Sequence, residues 1–74
     1  MTLRRLTALI EREGDWYVSL CPELDVASQG RTVEEARTNL AEALGLFFEE
    51  ASPEEIAERS AAEVYVTTVE VAVA

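Results

Sequence analysis

The spacing of apolar residues changes period along this chain, and the changes mark its elements. From Leu3 to Arg12 the period is two. Leu6, Ala8 and Ile10 share one side, and Arg5, Thr7, Leu9 and Glu11 the other, which predicts a strand. Glu13-Gly14-Asp15 carries a turn signal. A second strand is expected over Asp15 to Cys21, with Trp16, Val18 and Leu20 opposite Tyr17, Ser19 and Cys21. Two such runs around a short turn read as an antiparallel hairpin. Pro22 has no N–H for a ladder and ends the second strand. Pro22-Glu23-Leu24-Asp25 then connects to a short third strand over Val26 to Gln29.

Beyond Gln29 the period lengthens to that of a helix. Val33, Ala36, Leu40, Ala43, Leu44, Phe47, Phe48 and Ala51 form one apolar stripe, predicting a helix from Val33 to Glu50. Its other face carries Glu34, Glu35, Thr38, Glu42, Gly45 and Glu49, with Leu46 at the edge. Thr32 is placed to cap the helix, with Glu35 three residues on to close a capping box. Gly30, just before the cap, gives the joint a backbone free to take positive φ. Ser52-Pro53-Glu54-Glu55 repeats the start chemistry and predicts a short second helix ending near Ser60. Glu63 to Val73, rich in Val, Thr and Tyr, predicts a last strand. The alternation there shifts phase near Thr67-Thr68, which suits a bulge or a strand covered on both faces.

The expected order is therefore β-β-β-α-(short α)-β. It is an α+β domain with an antiparallel three-stranded sheet, a further strand, and one main helix packed on one face. Seventy-four residues, 49% of them hydrophobic, suit a single domain with a small core. A homodimer or higher homo-oligomer is expected, because many of the apolar residues are small and a strand edge would otherwise stay open.

Charge narrows the partners. Fifteen acids against six arginines give a net charge of -9, and there is no lysine or histidine. That field repels nucleic-acid phosphates, making direct DNA binding unfavourable, and favours a basic protein. Without histidine there is no triad or ordinary metal set, and no glycine-rich phosphate loop occurs. The carboxylates are too dispersed for a two-metal site. No catalytic residue, metal ligand or cofactor is therefore expected, and the chain reads as a non-enzyme. The single cysteine, Cys21, and the lack of a secretory leader or membrane-length apolar run suit a cytoplasmic protein.

Three stretches form a recognisable series: Tyr17 to Leu24, Ser28 to Ala36, and Asn39 to Leu44. With their Pro-Glu-Leu and Gln-Gly-x-Thr-x-Glu-Glu-Ala segments they resemble the HicB-like antitoxin family, over about residues 9–50. The resemblance implies a partial ribonuclease-H-like fold, and a domain that neutralises a small basic ribonuclease toxin by occlusion. Many members add a C-terminal DNA-binding domain; residues 1–74 read as a HicB-like domain without one. Pro22, Gly30, Thr32, Glu35 and Ala36 of this motif all have local structural explanations and are expected to specify the fold. Partner contacts are expected from the outer helix acids Glu34, Glu35, Glu42 and Glu49, with Trp16 as an interface aromatic. The other reading is a stand-alone oligomeric structural or adaptor domain with no toxin.

Overall fold

A computed structural model describes residues 3–74. It is an α+β arrangement: an antiparallel three-stranded sheet in the order β1-β2-β3, with two helices. The strands are β1 (Leu9–Glu13), β2 (Trp16–Cys21) and β3 (Val26–Gly30); the helices are α1 (Val33–Glu50) and α2 (Pro53–Ser60). Gly14 and Asp15 join β1 to β2 at the pair Glu13↔Trp16. Gly14 takes φ 60° and Asp15 does not go positive, the pattern of a II′ hairpin turn. The β2–β3 connection spans Pro22 to Asp25, and Asp25 itself reaches φ 54°, a region aspartate tolerates better than most residues.

Register divides the sheet into two faces. Ile10, Tyr17, Ser19, Cys21, Val26, Ser28 and Gly30 share the face that α1 covers. Cys21, Leu24 and Leu40 are buried there, with Leu6, Val26, Leu44, Phe47 and Phe48 packed around them. Leu9, Trp16, Val18, Leu20 and Ala27 lie on the opposite face, which no helix covers.

The joint between sheet and helix is the closest contact in the fold. A methyl group on Gly30 would sit 2.5 Å from the Ala36 nitrogen and 2.8 Å from the Glu35 carbonyl carbon. Ser19 lies opposite Ser28 on the strand before, and its buried hydroxyl donates to the Ala36 carbonyl at 2.9 Å. Thr32 caps α1, its Oγ1 accepting from the Glu35 N–H at 3.0 Å. The Glu35 carboxylate closes the motif one residue early, accepting from the N–H of Arg31 rather than Thr32. The expected role of Gly30 thus changes. Its φ is not positive; glycine is required because helix backbone lies where a side chain would be.

Two expected strands differ from the structure. The first begins at Leu9, not Leu3. Its ladder stops at Leu9↔Leu20, because β2 turns away at Pro22. The Glu23 carboxylate instead takes the Thr7 N–H and hydroxyl, the latter at 2.7 Å. Burial alone would push the Glu23 carboxyl up, but the bonds from Thr7, its own backbone and Cys21 outweigh it and hold it below its ordinary value. The last strand expected over Glu63 to Val73 has no ladder: residues 62–74 carry no regular secondary structure. Alternation sets which face a strand would show, but a strand forms only where another offers its N–H and C=O groups.

α2 closes the end of the domain. Arg59 donates from Nη1 to the Leu24 carbonyl at 2.7 Å and lies 5.4 Å from the centre of the Phe47 ring. Arg4 sits 5.1 Å from the centre of the Phe48 ring and reaches Ser60 Oγ. Gly30→Ala is expected to lower unfolding free energy by about 1–3 kcal/mol, the usual cost of overpacking. Gly14→Ala, strained only by its φ, serves as the control, and urea unfolding of both measures the difference. An unchanged midpoint for Gly30→Ala contradicts the close contact.

Candidate functional site

The outer face of α1 holds the residues of interest, and helical geometry places them. Residues 42, 45, 46 and 49 follow the spacing that puts side chains side by side on one face. Glu42, Gly45, Leu46 and Glu49 line a shallow hollow of about 380 Å³. Leu46 is 56% exposed, a large apolar side chain between two carboxylates. Neither Glu42 nor Glu49 has an ion pair among the described residues. Both side chains are exposed, so this ridge sets two acidic residues beside one apolar contact.

Glu34 and Glu35 sit at the other end of the helix and are already engaged. Glu34 pairs with Arg37 at 3.1 Å, both side chains well exposed. Such a pair contributes a few tenths of a kcal/mol at most. The Glu35 carboxylate holds the Arg31 N–H. Trp16 makes no hydrogen bond with any of the four among the described residues, though it meets Arg31, whose N–H Glu35 holds. It lies on the uncovered sheet face, 38% exposed, with the Arg31 guanidinium 4.3 Å from its ring centre. The five residues expected to meet a partner thus occupy opposite layers of the domain. Glu42 and Glu49 come together, Glu34 and Glu35 serve the start of α1, and Trp16 faces the other way.

Leu46 and Gly45 are the members of the ridge not singled out from sequence. The signal was present: a leucine on a polar helix face, with acids four residues before and three after. Gly45 is equally telling, because glycine in a helix interior costs about 1 kcal/mol relative to alanine. Among the described residues, its own helix's backbone aside, nothing lies within 4 Å of where its side chain would be, so no tertiary contact there requires glycine.

Pro22, Gly30, Thr32, Glu35 and Ala36 gather at the sheet–helix joint and the β2–β3 turn. Cys21 is fully buried, its thiol 3.4 Å from a Glu23 carboxylate oxygen. Burial, and secondarily that carboxylate, pushes the thiol pKa up, the reverse of an activated nucleophile. Among the described residues no helix is long and apolar enough to cross a membrane, and no group of three or more Cys, Asp or Glu could hold a metal ion. Compared with protein-family models, curated proteins and solved structures, the chain matches none.

The ridge offers a shape as well as a charge. Gly45 leaves room for a partner side chain between Leu46 and the flanking carboxylates. Gly45→Ala is expected to raise unfolding free energy by about 0.5–1 kcal/mol, read from urea unfolding. A destabilised variant would mean that this helix position is constrained from within the chain.

Proposed function

We propose that this chain is a HicB-like, antitoxin-type binding module that occludes a small basic ribonuclease toxin in the cytoplasm, without catalysis of its own. The observation that carries this reading is the ridge of Glu42, Leu46 and Glu49 around the Gly45 hollow. It combines unneutralised charge with an exposed apolar anchor, the pairing expected of an interface that steers a basic partner and then holds it.

The distribution of arginines supports it. Arg4 and Arg59 lie against Phe48 and Phe47, Arg31 against Trp16, Arg37 beside Glu34, and Arg12 donates to the Gly14 carbonyl. Five of the six arginines are thus engaged away from the ridge, which keeps its negative field. The order of three strands and a helix agrees with the start of the partial ribonuclease-H-like scaffold that the motif resembles. In that scaffold residues 63–73 would supply the further strand. The alternative of an oligomeric adaptor without a toxin draws on the exposed valines of that same segment.

The test uses the short basic ribonuclease encoded in the adjacent reading frame, purified and mixed with this protein in a stopped-flow instrument. Glu42→Gln with Glu49→Gln removes two ridge charges while leaving the Thr32–Glu35 cap intact. Association at low salt should slow by roughly tenfold and lose part of its salt dependence. An unchanged association rate contradicts the ridge as the docking surface. A neighbouring frame that encodes no such protein favours the adaptor.

A further inference from the structure

One end of the chain is built like a strand and has no sheet. Residues 62–74 are extended without secondary structure, and Tyr65, Val69, Val71 and Val73 are 71–87% exposed. Tyr65, Thr67, Val69, Val71 and Val73 alternate with Val64, Val66, Thr68, Glu70 and Ala72, so a continuous, largely apolar side faces one way. Only Glu70 is charged between residues 64 and 74, in a chain of net charge -9. The molecule measures 51 × 28 × 19 Å, with a radius of gyration of 14.6 Å. A compact chain of this length would have about 11 Å. β-branched, nearly uncharged and uncovered, it is the kind of strand that proteins do not leave free.

The body has a matching vacancy. β1 is one edge of the sheet, and among the described residues nothing pairs with its outer side. The other edge, β3, is overlaid by the start of α1, and Asn39 Nδ2 donates to its Gln29 carbonyl at 2.8 Å. Between the segment leading into β1 and the flank of α1 runs an open groove of about 730 Å³. Leu6, Ala8, Leu40, Ala41, Leu44 and Phe48 line it, with Arg4 and Arg5 at its rim. An added strand beside β1 would lay alternate side chains into that groove. Ten residues span about 33 Å as a strand, comparable to the run from Leu3 through β1.

We infer that residues 64–73 of each chain add as a strand to the free β1 edge of a second copy, with Val69, Val71 and Val73 seated in its groove, forming a two-fold strand-exchanged dimer. Ala62 lines a hollow with Arg4 and Leu6, and beyond it Tyr65, Val69, Val71 and Val73 are exposed and line no part of the chain's own groove. Exchange between copies fills both vacancies with two identical contacts. This stands independently of any toxin.

Sedimentation velocity of the full chain at micromolar concentration tests it. The protein should sediment at twice its 8.2 kDa chain mass. The variant Val69→Asp with Val71→Asp should sediment as one chain with its helical circular-dichroism signal retained, because both valines are outside the core. Amide hydrogen exchange on the wild-type protein is a second readout. Residues 64–73 should exchange roughly tenfold or more slowly than in the variant. Three results overturn the inference: a wild-type monomer with unprotected 64–73 amides, a monomer with protected ones (the segment docked on its own chain), or a dimer that the double variant leaves intact.

Discussion

The contact between Gly30 and the first turn of α1 sets the rest of this structure. Helix backbone lies where a side chain on Gly30 would be, and the Ser19 hydroxyl, one strand away, holds the Ala36 carbonyl. Residues small enough for that approach let Leu40 drop onto Cys21 and Leu24, which make up most of the buried core. Thr32 and Glu35 begin the helix at that point, so the cap and the packing contact are one unit. From there the pitch of α1 decides every other surface: Phe47 and Phe48 toward the core, Glu42 and Glu49 away from it. The core is small, and Arg4 and Arg59 extend it by lying across the two phenylalanines. Long cationic side chains here cover apolar surface with their stems.

Much of this was legible in the chain, for reasons particular to each element. α1 and α2 are bounded by their own caps, Thr32 and Ser52, so their limits could be read locally. β2 ends at Pro22 for an equally local reason. What could not be read is whatever depends on a partner. Leu3 to Ala8 alternates like a strand, yet β2 has turned away and Glu23 claims the Thr7 N–H. Residues 63–73 alternate too, and among the described residues nothing pairs with them. Gly30 was visible as special, but as a flexible backbone; its crowding against Ala36 appears only when the layers meet. Periodicity likewise cannot tell which sheet face a helix will cover. Trp16 therefore looked like a companion to the helix acids although it lies on the far side of the sheet.

Both surfaces with functional meaning are places where the fold leaves chemistry unspent. On the outer face of α1, Glu42 and Glu49 remain solvated beside Leu46, while most arginines are drawn to aromatic rings, a carbonyl or another acid. At the other extreme, residues 64–73 carry apolar side chains and backbone groups that the chain itself does not use. The first surface suits a basic partner and the second suits a neutral, strand-like one. The groove that would receive a copy's strand and the ridge hollow adjoin at Gly45.

The most direct test of where a partner docks is amide chemical-shift mapping. The isotopically labelled protein is titrated with the small basic ribonuclease of the kind proposed as its partner. Docking on the ridge predicts the largest shifts at Glu42, Gly45, Leu46 and Glu49, with Leu9, Trp16 and Val18 little changed. Shifts concentrated at Leu9, Trp16 and Val18 on the uncovered sheet face, with the ridge unmoved, would contradict it.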